Sequence, residues 1–391
     1  MLREFLPAAP PPSVRGSEKL AVLHAVSQGL AASRGDLSRR LGTRPTTISE
    51  LVAELLESRI LAEGVGPKGG RGRPPSVLVA NPNRFVVPVL HISSQSLAGS
   101  LINLSGRVVA GHAMEVPADS DNAAMAAALR SLAEGLLARN TSGGEVVGMA
   151  FSLSGLLDVP DSRWLFSSRW PRIRNLDVAR ALRDLSVPPF MGRNLDLELR
   201  ARTMHDPGAS GSTLLLHWGY GIGSAFASGA AVVNGSQGRF GEIGHWRVAG
   251  ASDRPCRCGR KACLETLASL WALAPALARR WDDISTDEAT FAGQASRLDL
   301  MAVPEMARAV QEMAIALGGL CRVLFPQRIV VTGPFVANAE LWAAFVRAFQ
   351  HEGILDGTAF PELVADQRSK EMELQGAAAP LFQAALLAAL A

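Results

Sequence analysis

The stretch 242–265, EIGHWRVAGASDRPCRCGRKACLE, constrains this chain more than any other. It places four metal-capable side chains, His245, Cys256, Cys258 and Cys263, within nineteen residues, including three of the chain's four cysteines. Zinc takes four soft or borderline ligands in a tetrahedron, and three thiolates with one imidazole form a closed, structural set. Gly259 lets the backbone turn tightly enough for Cys258 and Cys263 to face one ion. Free buried thiols beside a packing histidine are the alternative, but they leave the clustering unexplained. Glu242 and Glu265 bracket the cluster and are not needed as ligands, so both are available as acceptors for other groups, such as sugar hydroxyls.

The remaining composition sets the frame. The chain has 391 residues, 48% hydrophobic and 19% charged, enough for two or three domains with a sizeable core. Three cysteines committed to one cluster point to a reducing cytoplasm rather than a disulfide framework, with Cys321 left over as a small buried hydrophobe. The start, MLREFLPAAPPPSVRG, has prolines where a signal peptide needs an apolar core. The apolar end, 377–391, is interrupted by Pro380 and Gln383 and is too short to span a bilayer, so it predicts a packed terminal helix and no membrane partner. Charge is uneven. Residues 1–80 carry 11 Lys/Arg against 7 Asp/Glu, and the remainder 28 against 29. A basic head on a neutral body implies a polyanion partner for the head alone.

The head reads as a winged helix-turn-helix over 1–80. An apolar helical pattern runs through Leu20, Leu23, Val26 and Leu30, and a short helix, DLSRRL, stops at Gly42. Thr43 then offers an N-cap, with Pro45 in the first turn, where its missing N–H costs nothing. Ile48, Leu51, Val52, Leu55 and Leu56 form one apolar face, which makes 43–59 the expected recognition helix. Arg44, Thr46, Thr47 and Ser49 on its other face suit phosphates and base edges of a double-stranded operator. Two extended segments then flank GPKGGRGRPP, a wing whose Lys68, Arg71 and Arg73 suit a narrow minor groove. A flexible linker with solvated charge is the plainer alternative for that tip.

The cysteine stretch resembles the signature of the ROK family (repressors, open reading frames and sugar kinases), which reads GExGH, about ten residues, then CxCGxxGCLE. Ala262 stands for the last glycine. The resemblance implies an α/β two-lobed actin/hexokinase-like (ribonuclease-H-like) body over 81–391, with one lobe at 84–195 plus 375–391 and the other at 196–374. It implies zinc on the four ligands and a sugar held by Glu242, His245 and Glu265, with Asn194 and Gly155 contributing. Trp164 and Trp170 are candidates for stacking on a sugar or for simple packing.

Against that family the kinase chemistry looks degraded. The phosphate turn DxGGT is matched by His91, Ser93, Ser94 and Gln95, without the acid or the glycines. Aligning Asn194 with the ENDAN motif places Leu195 at the catalytic aspartate. Leucine accepts no proton, and loss of a general base alone costs roughly 10²–10⁴-fold. Asp196 points away if the segment is extended and is restored to the site if a helix starts there. Tyr220 sits in the glycine turn Gly219, Gly221, Gly223, and Pro334 replaces a glycine of the adenosine turn. The expectation is a cytoplasmic, sugar-responsive transcriptional regulator, a repressor acting as homodimer or homotetramer and not an enzyme. An active ATP-dependent sugar kinase with an accessory DNA-binding head is the second reading, and a zinc-responsive regulator the third.

Overall fold

The structure is a computed structural model that describes residues 2–7, 11–65, 76–93, 96–185, 187–206, 211–234, 239–249, 253–355 and 357–391. The head begins with a helix α1 (Val14–Ser27), capped by the Ser13 hydroxyl, which accepts from the Gly16 N–H. It therefore starts inside the proline-rich segment, and Leu30, expected on its apolar face, lies beyond it and is 44% exposed. Helix α2 (Arg34–Leu41) ends at Gly42, whose φ of 64° is a left-handed stop. Helix α3 (Pro45–Glu57) is preceded by Arg44, not Thr43, and has no side-chain cap. Thr43 instead uses its carbonyl to accept from Ser38 Oγ at 2.7 Å. Strands β1 (Leu61–Val65) and β2 (Ser76–Ala80) then pair antiparallel, with Val65 opposite Ser76. The head is thus three helices followed by an antiparallel strand pair. The tip residues Lys68, Arg71 and Arg73 lie outside the described residues.

The first lobe holds β3 (Phe85–Ser93), β4 (Ser96–Asn103), β5 (Val108–Glu115), α4 (Asn122–Ala138), β6 (Glu145–Val146) and β7 (Met149–Leu153). A small antiparallel sheet follows from β8 (Leu156–Asp158), β9 (Arg163–Phe166) and β10 (Arg174–Asp177), then α5 (Val178–Leu182) and β11 (Pro189–Arg193). The main sheet runs β11-β7-β3-β4-β5, a meander extended by two parallel strands, with β6 beside β3. Both faces are covered, so its central strands read as nearly continuous apolar runs. Leu90 and Leu101 pack with Leu129 and Leu132 of α4 on one side, and Val87 and Val89 with the C-terminal helix on the other.

The second lobe opens with α6 (Asn194–His205) and the hairpin β12 (Ser212–Trp218), β13 (Ile222–Ser228) and β14 (Ala231–Val233). Two short helices, α7 (Glu265–Ala268) and α8 (Leu270–Leu277), are broken at Ser269, where one helix over 264–280 is the sequence expectation. Ser269 caps the second with its own hydroxyl, a signal easily overlooked inside an apolar run. Helix α9 (Glu288–Ala295), α10 (Pro304–Leu324), β15 (Arg328–Thr332), α11 (Ala339–Glu352), β16 (Glu362–Ala365) and α12 (Lys370–Leu390) complete the chain. The sheet order is β14-β13-β12-β15-β16, with β12, β15 and β16 parallel. Leu214, Leu216 and Trp218 face α10 and α11, whereas Leu215 faces Leu195 and Leu199 of α6, the period-two alternation of a strand.

Helices α6 and α12 lie between the two sheets. At Gly376 a Cβ would collide with the Leu197 carbonyl, so glycine sets how closely these helices approach. Helix α12 starts at Lys370, earlier than the expected run after Gln375, and its 21 residues are long and apolar enough to cross a membrane by length and composition. That corrects the expectation of too short a segment. Here its apolar residues are packed inside the protein: Phe382, Leu386 and Leu390 join one hydrophobic cluster with Val87 of β3 and with Val22, Leu23 and Leu51 of the head. Phe5 stacks on Phe382 with ring centroids 5.0 Å apart. Head and first lobe thus share a core.

Candidate functional site

The four expected metal ligands converge. The Nδ1 of His245 and the three sulfurs all lie within 4.8 Å of one another. Cys256 Sγ is 3.6 Å from His245 Nδ1, and Cys258 Sγ is 3.7 Å from Cys263 Sγ. A tetrahedron with Zn–S bonds of about 2.3 Å has edges of about 3.8 Å, so the cluster has the dimensions of that ion. The loop supplies the turns locally: Gly259 has φ 88° and Ala262 φ 60°, and Arg247 bridges Cys263. Burial pushes the Cys256 and Cys263 thiols up, so a cation is what would make them thiolates in this setting. The cluster is able to hold a metal ion.

The other face of His245 looks into a cleft of about 780 Å³ between the lobes. Its Nε2 lies 3.8 Å from Glu242 Oε2, so the imidazole can serve the metal with one nitrogen and face the cleft with the other. Glu242, His245, Glu265, Asn194 and Gly155 all line this cleft. Glu265 is buried, its Oε1 accepts from Trp271 Nε1 at 3.1 Å, and burial pushes its carboxyl up. Gly155 has φ 94°, and a Cβ there would collide with the Phe166 carbonyl, so no other residue fits its turn. Trp164 and Trp170 are 0% and 1% exposed, packed edge to face at 6.0 Å, with their indole N–H groups donating to Ser154 O and Val116 O. Trp164 is a packing residue, not a stacking platform in the cleft.

Glu242 is not as free as its sequence position suggests. Arg193, buried at the end of β11, donates from Nη1 to Glu242 Oε1 at 2.7 Å and from Nη2 to Asp196 Oδ1 at 2.9 Å. Asn194 begins α6, so the helical start that was to bring Asp196 back is present. Asp196 nevertheless turns inward, 3% exposed and held by Arg193, while Leu195 lines the cleft. Asp196 is thus not among the residues that line the cleft.

The glycine turn at Tyr220 is closed by an internal acid. The backbone N–H of Tyr220 in the glycine turn donates to Glu288 Oε1 at 2.7 Å, and His217 Nε2 lies 3.2 Å from the same oxygen. Burial would raise the Glu288 carboxyl, but His217, the charge of Arg368 and the Tyr220 N–H outweigh it and hold the group well below the usual carboxylate range. Its carboxylate takes up the Tyr220 N–H of this turn. On the facing hairpin, His91 is buried against Ser100 Oγ at 3.2 Å, and Lys370 Nζ donates to the Ile92 carbonyl at 2.8 Å. Ser94 and Gln95 lie outside the described residues, as does the side chain of Ser93. Pro334 opens a 3-10 turn and lines the cleft. Arg193, His217, Glu288 and Lys370 were not singled out from sequence. Arg193 alone had a local signal, a cation where the family motif has glutamate.

On the head, Arg44, Thr46 and Ser49 are exposed and Thr47 is half-buried, all at the start of α3. Ser49 Oγ donates to the Pro45 carbonyl at 2.8 Å, so the free valence it offers a partner is its lone pairs.

Comparison with known proteins agrees with this architecture. The chain is 25% identical over 260 residues to the DNA-binding transcriptional dual regulator NagC of Escherichia coli strain K12, covering 66% of this chain and 63% of that protein. It is 22% identical over 352 residues to the xylose repressor of Caldicellulosiruptor bescii, covering 84% and 86%. The crystal structure of a ROK family transcriptional regulator, a homologue of the E. coli MLC protein, superposes with TM-score 0.70 at 20% identity, covering 96% of this chain and 98% of that one. A ROK hexokinase from Thermus thermophilus superposes with TM-score 0.58 at 22% identity, covering 75% and 97%. At these identities the structural likeness is one of fold: an α/β two-lobed actin/hexokinase-like body, preceded by a region that the regulator shares. The ROK family model matches residues 90–384, most of the length, and the chain belongs to the ROK family.

Proposed function

We propose that this chain is a sugar-responsive, DNA-binding transcriptional repressor that does not phosphorylate its ligand. In this reading residues 1–80 grip an operator through Arg44, Thr46, Thr47, Ser49 and the wing cations, and residues 81–391 bind a small sugar or sugar derivative. A zinc ion on His245, Cys256, Cys258 and Cys263 is structural: it keeps His245 in register with Glu242 and Glu265. Asn194 and the backbone at Gly155 complete the ring of hydrogen-bonding groups, and Arg193 orients Glu242. The protein works in the cytoplasm as a homodimer or homotetramer, because paired heads match paired half-sites. The names of its relatives, a dual regulator and a xylose repressor, support the regulatory part of the reading.

One observation carries the proposal: the cleft offers acceptors for hydroxyl groups while Leu195 stands where a base is needed and Glu288 fills the phosphate turn. The link to the head is α12. Its first turn reaches the cleft through Lys370, and buried Glu373 behind it accepts from Ser152 Oγ at 2.6 Å and from Nη2 of the cleft residue Arg368 at 2.8 Å. About 30 Å away, at 1.5 Å per residue, its last turn packs so closely on α1 that a Cβ at Gly16 would meet the Leu390 carbonyl at 2.9 Å. A ligand that closes the cleft therefore shifts the platform on which the heads stand, so ligand and operator compete through their preference for two arrangements. Isothermal titration of a monosaccharide panel tests this, with Asn194→Ala and Glu242→Ala as variants. Binding by wild type that both variants lose, together with release of operator DNA by the same sugar, is the expected result; full binding in both variants rejects the assigned cleft.

A further inference from the structure

Beside the main cleft lies a second cavity of about 390 Å³, at the lower end of small-molecule sites. Arg169 and Tyr220 line both and form the wall between them. The side cavity is bounded by the loop around Val116 and Asp119, by the loop carrying Arg169, Trp170 and Arg172, and by Arg257 of the metal loop.

Charge separates the two spaces. The main cleft is lined by five carboxylates, Glu242, Glu265, Asp287, Glu288 and Asp366, against Arg169, Arg193, Arg368 and Lys370. The side cavity has three guanidinium groups and one carboxylate, that of exposed Asp119. Two of the three are already engaged. Arg257 Nη1 donates to Ser168 O at 2.8 Å and to Tyr220 Oη at 2.6 Å, and Arg172 Nη1 donates to the Asp119 carbonyl at 3.1 Å. Arg169 is different. It is half-buried over the Tyr220 ring, 4.6 Å from its centroid, and among the described residues its guanidinium makes no ion pair or hydrogen bond. Burial pushes its pKa down, against the opposing charges of Glu288 and Asp287 on the main-cleft side.

The geometry points to this side cavity as a second binding site, for a small organic anion with a flat apolar body. The oxyanion, carboxylate or phosphate monoester, pairs with Arg169, whose planar fork matches two oxygens at once. The body lies against Tyr220, Trp170 and the aliphatic wall at Val116 and Pro171. The inference is independent of what the main cleft binds.

The test is titration of the full-length protein with benzoate, phenyl phosphate and inorganic phosphate, followed by calorimetry and tryptophan fluorescence. The expected result is saturable binding of at least one aromatic anion, with inorganic phosphate weaker. Which of the two aromatic anions binds better tells carboxylate from phosphate ester. Arg169→Gln removes a charge-assisted hydrogen bond and weakens the binding about tenfold or more. Ala118→Trp, at an exposed position that lines the side cavity alone, blocks it, whereas Glu242→Ala in the main cleft leaves it intact. No saturable binding of either aromatic anion overturns the proposal. So does binding that survives Ala118→Trp, or inorganic phosphate binding as tightly as the aromatic anions.

Discussion

The backbone N–H of Tyr220 donates to the carboxylate of Glu288, 68 residues later, at 2.7 Å. A glycine turn of the kind that cradles phosphate in kinases is here closed on an internal anion. A phosphate entering it would have to displace a desolvated carboxylate held also by His217, and like charges would oppose it. The expected outcome is no sugar-dependent ATP consumption above background in a coupled assay. On the proposed reading Leu195→Asp alone does not restore it, since Glu288 still closes the turn. Turnover in either protein would refute this account of the turn.

Arg193 joins two carboxylates that the sequence treats separately, Asp196 and Glu242. Removing one partner of a buried pair leaves an uncompensated charge, at a cost of about 3–5 kcal/mol. Arg193→Ala is expected to destabilise the protein by that order in urea unfolding. Arg193→Ala combined with Asp196→Ala is expected to recover much of the loss. Equal destabilisation in the single and double variants would argue against the pair as its source.

Ala262 occupies the position of a family glycine and keeps its backbone shape, φ 60°. A left-handed L-residue is strained by about 1–2 kcal/mol, partly offset because glycine loses more chain entropy on folding. Ala262→Gly is therefore expected to stabilise the cysteine loop by up to about 1 kcal/mol, read, if the proposed zinc is bound, as slower release of it to a chelator. A faster release would mean that the alanine methyl packs favourably enough to outweigh its strain.

His91 gives the protein an acid-sensitive joint. Burial, reinforced by the positive charges of Lys370 and Arg368 and opposed by Glu373, lowers its pKa from the ordinary 6.5 to about 3. Unfolded chains bind the proton at the ordinary value and the folded protein does not. The contribution is thus complete above pH 6.5 and lost as pH falls from 6.5 toward 3, at a slope approaching about 1.4 kcal/mol per pH unit. His91→Gln keeps a polar partner for Ser100 and cannot titrate. Unfolding free energies at pH 7.5, 6.5, 5.5 and 4.5 are expected to fall less steeply in the variant; parallel slopes would assign the acid sensitivity elsewhere. Glu373, held at about 2 beside Lys370 and Arg368, adds its own loss only below the ordinary carboxylate range.

Sequence alone determined what depends on neighbours along the chain. The four candidate ligands lie within one loop, and the helix stop at Gly42 and the helix start at Pro45 each act on their own turn. The reading of Leu195 against the family motif's aspartate is likewise local. Tertiary structure decided what depends on distant segments meeting: Arg193 with Glu242 across 49 residues, Glu288 in a turn 68 residues earlier, and Lys370 under the first hairpin. It also turned Asp196 inward even though its helix starts where rescue required. The physical reason is that a charge's role is set by whichever opposite charge or desolvated wall it meets, and spacing along one strand or helix carries no record of that partner.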